Sequence, residues 1–381
     1  MPKRLLVVGS GTAGLMVANL VARALEPQIQ HHEVEVTVLG ERDDYIYQPG
    51  FLYVAFDLMD PRSLVRPVRD LLHPRVRFVH DRAERVDAAS NTVVTQGGVN
   101  LPYDYLVLAT GSRIRPEDVP GLAQEAHWFY TLEGAEKLRE ALQGLQGGRI
   151  AISVGIPHKC PVAPVEFTLM LDAWARNRGL RDALEITYTY PVARAHTIPA
   201  VAAFAEAEFE RRDIKVETFF NMESVDTEAH VLHSQEGTDV AFDLLVTVPP
   251  HGGDALGGAS GLAGAGNWYP TDRQLLQVQG HENIFAVGDT TDLPVSKAGS
   301  VAHFESEVVA DNLVGLLSEG RRPGHTYAGR AFCFIETGLE EATYISFDFQ
   351  HPPVVPTPSR SIHFFKQTYN QIHWANLKAV I

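Results

Sequence analysis

The sequence predicts an α/β fold built from two Rossmann-like, doubly wound domains and a short C-terminal region. Apolar strand-like runs alternate with helical patterns along most of the chain, which favours parallel sheets. A glycine-rich turn joins the first strand to the first helix, and a second strand-turn-helix unit starts near residue 150. The 381 residues are enough for two or three domains.

The individual elements follow from the spacing of apolar residues and from glycine and proline signals. The sequence predicts strands over 4–9, 34–39, 105–109, 150–155, 184–190, 244–248 and 284–288. It predicts helices over 132–146, 165–178, 199–212 and 299–318, besides one after the first glycine turn and an aromatic-rich one at the C-terminus. The small-residue segment Gly252 to Gly266 is predicted to be a flexible surface connection.

These units predict three regions. The first domain is discontinuous and takes residues 1–112 and 241–325, the second takes 113–240, and the C-terminal region takes 326–381.

Composition excludes several classes of protein. The net charge is −15 and no basic block occurs, which argues against nucleic-acid binding. The apolar run before Gly9 is too short for a signal peptide and predicts a buried strand. No stretch of 18 apolar residues predicts a membrane-spanning helix. The two cysteines are too few for a disulfide-stapled scaffold, and no metal site is predicted.

The first glycine turn, Gly9-Ser10-Gly11-Thr12-Ala13-Gly14, has the context of a dinucleotide site. Gly9 permits the tight turn, Gly11 lets the backbone approach a pyrophosphate, and Gly14 lets helix and strand pack closely. Thr12 and Ala13 begin the helix whose N–H groups face the phosphates. Glu41 ends the next strand and can accept hydrogen bonds from ribose hydroxyls.

Two later segments specify the dinucleotide. Thr110-Gly111 after a buried strand resembles the ATG turn of flavoprotein reductases. Gly288-Asp289 after the strand 284–288 resembles their second flavin motif, in which the aspartate binds the ribityl chain. Together with the first turn, these motifs resemble the flavoproteins that have two dinucleotide-binding domains. The resemblance implies FAD, bound by the first domain.

The turn of the second domain lacks the matching glycine motif. It is Gly155-Ile156-Pro157-His158-Lys159-Cys160-Pro161, with proline at the second glycine position and cysteine at the third. A proline ring obstructs a pyrophosphate and supplies no N–H. We therefore expect this domain to keep the fold without binding a nicotinamide nucleotide.

Cys160 precedes a predicted helix and follows His158 and Lys159, a context that predicts a stabilised thiolate. Glu166, in the first turns of that helix, is either a solvated residue that stabilises the helix or a proton-transfer group beside the thiol. Cys333 taken alone indicates only a buried cysteine in an apolar strand.

The motif Gly-x-Pro-x-Lys-Cys-Pro with Glu166, the Gly288-Asp289 turn and Lys297-x-Gly299 ahead of a helix resembles the sulfide:quinone oxidoreductase family over about residues 1–335. Flavocytochrome c sulfide dehydrogenase flavoprotein subunits are similar as well. The resemblance implies that Cys160 and Cys333 meet at the flavin, accept hydrosulfide sulfur and pass two electrons through FAD to a quinone.

The resemblance also implies roles for other residues. Lys297 and Gly299 lie in a turn that places N–H groups near the flavin, and His196 resembles a family histidine near the quinone, although a solvent-facing histidine is an equal alternative. Residues 112–150 lack the third cysteine of many members, so we predict dissociable, non-covalent FAD.

The aromatic C-terminal helix predicts attachment to a membrane surface on the cytoplasmic side. In this interpretation Phe364, Phe365 and Trp374 enter the lipid interface while Lys366 and Lys378 face headgroups. The alternative is that the helix docks on the protein's own core or in a homo-oligomer interface.

Three other functions remain open. A sulfide dehydrogenase subunit would reduce a cytochrome, and an NADH:quinone reductase would need the nucleotide site that the second turn lacks. A flavin-bound redox sensor would cycle its cysteines without turnover.

Overall fold

The computed structural model describes residues 2–321 and 324–380, and two parallel sheets form its frame. The first sheet has five strands in the spatial order Ile284–Ala286, Tyr105–Leu108, Lys3–Val8, Val34–Gly40 and Arg77–His80. The second has four in the order Lys215–Thr218, Leu184–Tyr190, Gly148–Val154 and Leu244–Val248. The predicted α/β architecture with parallel sheets is confirmed.

The strands are apolar because the sheets are covered on both faces. The last four residues of Lys3–Val8 and all five of Leu244–Val248 are buried. The α-helices of the described residues are Thr12–Ala24, Glu26–Gln30, Phe51–Ala55, Val68–Leu71, Leu122–Glu125, Leu132–Gly144, Ala163–Asn177, Pro199–Arg211, Ala255–Ala259, Gly299–Ser318 and Arg360–Leu377.

Smaller antiparallel sheets accompany the two parallel ones. Two of them have three strands each, Ala83–Asp87 with Thr92–Thr95 and Asn100–Pro102, and Met222–Asp226 with Val231–Ser234 and Asp239–Ala241. The two-stranded ones pair Asp44–Ile46 with Val65–Pro67, Ser112–Ile114 with His251–Gly253, and Ala331–Glu336 with Ala342–Phe347.

The C-terminal helix Arg360–Leu377 packs on the strand Ala342–Phe347 and on the helix Thr12–Ala24. Its end is held by hydrogen bonds, because Nδ2 of Asn19 donates to the carbonyl of Leu377 at 2.7 Å. No helix of the described residues is long and apolar enough to cross a membrane.

The predicted lipid-facing surface of this helix is partly wrong. Phe364 and Phe365 are exposed, at 68% and 63%. Lys366 is buried and ion-paired, because two carboxylates attract its ammonium into the interior. Trp374 packs against Tyr45, with the guanidinium of Arg66 4.3 Å from the centre of its ring.

The segment 252–266 lies largely at the surface, as predicted, but it contains more regular structure than the flexible connection that the sequence suggested. Its first residues pair as the strand His251–Gly253 with Ser112–Ile114, and Asp254 caps the short helix that follows. The glycines allow close contact, since a Cβ on Gly253 would lie 2.0 Å from the carbonyl oxygen of Asn267. Small residues therefore indicate tight packing here.

Candidate active site

The first glycine turn is shaped by steric necessity. Gly9 has a φ of +116°, and a Cβ on it would lie 2.2 Å from the carbonyl oxygen of Ala109. A Cβ on Gly14 would lie 1.9 Å from the oxygen of Gly9. The turn therefore fits against the end of the neighbouring strand only with glycine at both positions.

The middle of the same turn is open. A Cβ on Gly11 would meet nothing within 4 Å. Gly11 precedes the helix Thr12–Ala24, which has neither a side-chain cap nor an acidic residue in its first turn. Its first N–H groups, including those of Thr12 and Ala13, are thus available to an anion, and the space fits the pyrophosphate of a dinucleotide.

Glu41 lies at the rim of this site. Nη2 of Arg113 donates to its Oε1 at 2.8 Å, and Nε of Arg113 donates to Asp254 at 2.7 Å. The sequence did not reveal Arg113, because its strand Ser112–Ile114 is short and carries no motif. Glu41 as a ribose ligand stays a prediction.

The second flavin motif forms a tight turn beside the first. Gly288 has a φ of +78° and begins the 3₁₀ turn Gly288–Thr290 that contains Asp289. The hydroxyls of Thr110 and Thr290 lie 2.9 Å apart and join this turn to the Thr110-Gly111 turn. The structure therefore brings the three flavin motifs together, as the resemblance implied.

A buried carboxyl supports this second turn. Oε2 of Glu305 accepts a hydrogen bond from the N–H of Gly288 at 2.6 Å, and Oε1 has no partner in the described residues. Burial raises the pKa of Glu305 to about 8, against the lowering effect of the Gly288 hydrogen bond. The sequence did not single out Glu305. The available signal was its position on one helix face with Val301 and Val309, which are buried.

Lys297 and Gly299 connect the flavin motifs to the cysteine loop. The ammonium of Lys297 donates to the carbonyl of Thr291 and lies 4.0 Å from the centre of the Trp268 ring. The carbonyl of Lys297 accepts the N–H of Cys160 at 2.7 Å. Gly299 starts the helix Gly299–Ser318, and a Cβ there would meet nothing within 4 Å. This segment therefore lies between an open space and Cys160.

Cys160 has a strained backbone. Its φ is +49°, which is uncommon for a residue with a side chain and is characteristic of functional sites. Its own carbonyl accepts the N–H of Ala163 at 3.0 Å, so the loop is fixed on both sides of the cysteine. The adjacent Lys159 lies 3.9 Å from Asp289, which is a second link to the flavin turn.

The surroundings of Cys160, which is half-buried, oppose the predicted stabilisation of its thiolate. Burial raises the pKa of Cys160 to about 12, and the nearby Glu166 raises it further. His158 contributes no positive charge at neutral pH, because burial lowers its pKa to about 4. Desolvation therefore outweighs the lysine and the helix terminus.

Cys333 lies on the strand Ala331–Glu336 and is 8% exposed. Both cysteines are free thiols. Cys160 packs against the buried apolar cluster to which Cys333 belongs, so the two cysteines line the same part of the core. Burial raises the pKa of Cys333, and the charge of Cys160 adds to this shift. The structure thus brings together two cysteines that come from distant parts of the sequence.

Glu166 is buried, so the alternative of a solvated residue is wrong. It forms an ion pair with the ammonium of Lys366, and that ammonium lies 3.8 Å from Glu336. Burial raises the pKa of Glu166, although Lys366 opposes the shift. Glu166 is therefore a buried, ion-paired carboxyl in the first turn of the helix that follows Cys160.

His196 is fully buried, which overturns the solvent-facing alternative. Its Nδ1 accepts the N–H of Ile198 at 3.0 Å, and its ring stacks on Tyr190, on the second sheet. Burial lowers its pKa to about 4. A role of this histidine at the quinone stays a prediction.

Comparison with known proteins gives consistent matches. A family model described as pyridine nucleotide-disulphide oxidoreductase matches residues 3–310. The mitochondrial sulfide:quinone oxidoreductase of Mus musculus is 24% identical over 93% of this chain and 80% of its own length. The sulfide-quinone reductase of Aquifex aeolicus (strain VF5) is 26% identical over 97% of this chain and 90% of its own length.

Solved structures show the same fold. The crystal structure of the sulfide:quinone oxidoreductase from Aquifex aeolicus superposes with a TM-score of 0.88 at 23% identity, covering 99% of this chain and 92% of that one. The structure of NDH2 from Plasmodium falciparum in complex with NADH gives a TM-score of 0.74 at 13% identity, covering 100% of this chain and 98% of that one.

Proposed function

The chain belongs to the pyridine nucleotide-disulphide oxidoreductase family, and from this premise we propose that it oxidises sulfide at Cys160 and Cys333 and reduces a quinone through FAD. One observation carries the proposal: the chain's two cysteines share one apolar cluster of the core, and Cys160 is hydrogen-bonded to Lys297 in the segment beside the flavin motifs. The relatives named as sulfide:quinone oxidoreductases support the same activity.

FAD is the family's cofactor, and when bound it accepts two electrons and passes them on. The open turn at Gly11 would hold its pyrophosphate, with Glu41 at the ribose and Asp289 at the ribityl chain. We propose non-covalent binding, because both cysteines of the chain belong to the redox site and none remains for a bond to the flavin.

The two cysteines supply the sulfur chemistry. In their oxidised form they are joined through a disulfide or a bridging sulfur, and hydrosulfide attacks this bridge. A new S–S bond forms to Cys160, and the bond to Cys333 breaks and leaves a thiolate. The high pKa of both thiols makes a free thiolate costly, so the Cys333 thiolate is a strong electron donor. Glu166 receives the proton of the attacking sulfur.

The second domain favours sulfide over NADH as the electron source. Pro157 and Cys160 replace two glycines of the nucleotide motif. A Cβ on the remaining Gly155 would lie 2.9 Å from Pro250, so the strand end is closely packed as well. The described protein atoms around this turn pack closely against it, so they leave no space there for a second pyrophosphate.

We propose that the protein attaches to the cytoplasmic surface of the membrane, where a quinone is available. The exposed rings of Phe364 and Phe365 lie on one end of the C-terminal helix, and Ile372 is 38% exposed. Aromatic side chains of this kind insert into the lipid interface. A sulfide dehydrogenase that reduces a cytochrome would have no use for such a surface.

The test is an anaerobic titration of the yellow protein, followed by flavin absorbance. Sulfide is expected to bleach the flavin and NADH to leave it oxidised. Cys160→Ser and Cys333→Ser should each lower the rate of bleaching by at least about 10³-fold, because the covalent route is lost, and retain FAD. Normal bleaching in either variant would contradict the two-cysteine mechanism, and bleaching by NADH alone would assign the chain to the NADH-dependent relatives.

A further inference from the structure

A series of polar side chains leads from the surroundings of Cys160 to the protein surface. They lie where three elements meet, the helix Ala163–Asn177, the strand Ala331–Glu336 and the C-terminal helix Arg360–Leu377. In order from the interior outward, the members of this polar series are Glu166, Lys366, Glu336 and His363.

The inner half of the series adjoins the cysteines. Glu166 lies in the first turn of the helix Ala163–Asn177, which begins just after Cys160 and packs on the strand that carries Cys333. Its charge raises the pKa of both cysteines. The ammonium of Lys366 is in direct contact with Glu166 and lies 3.8 Å from Oε1 of Glu336. A shift of the lysine side chain by less than 1.5 Å, on the order of ordinary thermal motion, would therefore let it bond either carboxylate.

The outer half reaches water. Nδ1 of His363 lies 2.8 Å from Oε2 of Glu336, while the hydroxyl of Tyr53 donates to Oε1 of Glu336 at 2.6 Å. Glu336 is fully buried, whereas the side chain of His363 is 23% exposed. The imidazole is thus the point at which solvent protons meet the series.

The charges in the series favour a mobile proton. Two carboxylates, Glu166 and Glu336, face a single buried ammonium, so the interior would carry one excess negative charge. Although burial lowers the pKa of Lys366, Glu166 and the other neighbours raise it above its ordinary value, so the lysine keeps its charge. A proton delivered to this group of side chains would neutralise the excess.

We propose that Glu166, Lys366, Glu336 and His363 carry protons between the solvent and the cysteine site. The inference rests on the proposed function, whose balance is HS⁻ + H⁺ + quinone → S⁰ + quinol. The sulfur stays on the cysteines as S⁰, and its two electrons go to the quinone. The proton of hydrosulfide is released at the buried cysteines, where Glu166 receives it, and at least one proton of the quinol comes from water. Each turnover therefore needs proton exchange between the cysteine site and the solvent.

The primary variant is His363→Gln, which keeps a hydrogen-bond donor towards Glu336 and cannot be protonated. Sulfide should still bleach its flavin within about threefold of the parent rate, since the first half-reaction takes no net proton from water. Quinone-dependent turnover should fall about tenfold, which is less than the usual loss of a general acid or base, because water can still deliver protons slowly. Its pH profile should change shape, its solvent deuterium isotope effect should grow, and added imidazole should restore the rate.

Two further variants complete the design. Glu336→Gln should also slow turnover and enlarge the deuterium effect, while keeping a carbonyl for the hydroxyl of Tyr53. His351→Gln is the matched control, because His351 is exposed and its ring bonds Asp348, outside the series. Turnover of this control should equal that of the parent. The FAD content and Tm of each variant show whether it is folded.

The possible outcomes distinguish a failure of the proton route from a failure of the proposed function. If sulfide does not bleach the parent flavin, the proposed function fails first. If the parent is active and His363→Gln keeps its turnover and its deuterium effect, the proton route is wrong. A slower variant that imidazole does not restore and whose deuterium effect is unchanged has only a structural defect, which overturns the route as well.

Discussion

Two strand-turn-helix units occupy equivalent places in the two parallel sheets, but the residues of their turns suit different ligands. In the first, the helix begins at Thr12 directly after Gly11, and open space lies in front of its N–H groups. In the second, the turn contains Pro157, and the helix begins only at Ala163. The topology sets where a turn meets the carboxyl edge of a sheet, and the residues of the turn decide whether a phosphate or a sulfur occupies that place.

The surroundings explain why the exchange is possible. Gly9 and Gly155 both end a central strand and both lack room for a Cβ. The two sites differ beyond that glycine, because the N–H of Cys160 donates to the carbonyl of Lys297, in the segment that follows the second flavin motif. Under the proposed function, the second turn would serve the flavin that the first turn holds. The following predictions sharpen this contrast, from the largest expected effect to the smallest.

Gly14→Ala should give no flavoprotein at all, since its Cβ would lie 1.9 Å from a backbone oxygen that cannot move without opening the turn.

Gly11→Ala is the informative partner, because its Cβ meets no protein atom within 4 Å. This variant should fold with a parental Tm as apoprotein and bind FAD at least about 100-fold more weakly, an effect of order 3 kcal/mol. The measurement is FAD titration by flavin fluorescence. Parental affinity in Gly11→Ala would show that the open space is not the pyrophosphate site.

Glu305→Gln should change the pH dependence of stability. The raised pKa of about 8 means that the folded protein keeps a proton that the unfolded chain loses above about 4.5. Glu305 therefore destabilises the fold progressively as pH rises from about 4.5 to 8, and glutamine does not. Asp289 strengthens this effect and Lys297 opposes it.

The Tm of the Glu305→Gln holoprotein should equal that of the parent near pH 5 and exceed it by several degrees at pH 8. Thermal unfolding across this range measures the difference. A constant difference at all pH values would mean that Glu305 is ionised throughout and serves only as an acceptor for Gly288.

The sequence predicted seven of the nine strands of the two parallel sheets and the six longer helices, because these depend on local apolar spacing. It missed the strands Arg77–His80 and Lys215–Thr218 and the short helices, whose local patterns are weak. The family resemblance drawn from the Cys160 loop is confirmed by relatives that cover more than nine-tenths of the chain. The sequence could not predict the charge states of the site residues. A stabilised Cys160 thiolate and a lipid-facing Lys366 were both inferred from neighbours in sequence, whereas desolvation and the carboxylates around Lys366 come from distant segments.

The smallest effect concerns a link between the first turn and the C-terminal helix. The hydroxyl of Tyr45 lies 2.9 Å from the hydroxyl of Thr12 and 2.7 Å from Nε2 of His373. Burial lowers the pKa of His373 to about 4, so its neutral ring can accept from Tyr45 while Tyr45 accepts from Thr12. The hydroxyl of Thr12, at the start of the helix Thr12–Ala24, is therefore held by the C-terminal helix, which carries the exposed rings of Phe364 and Phe365.

Tyr45→Phe should lower the free energy of unfolding by about 1–2 kcal/mol, because a buried imidazole nitrogen loses its donor. Tyr47→Phe is the matched control, since it removes a single bond to Asn370 and leaves Thr12 unchanged. If the link supports the flavin turn, FAD affinity should fall about threefold in Tyr45→Phe alone, while both variants lose stability. Equal FAD affinity in the two variants would mean that Tyr45 only anchors the C-terminal helix. The two turns would then depend on that helix in different ways. The first would depend on it through packing, and the second through the ion pair of Glu166 with Lys366.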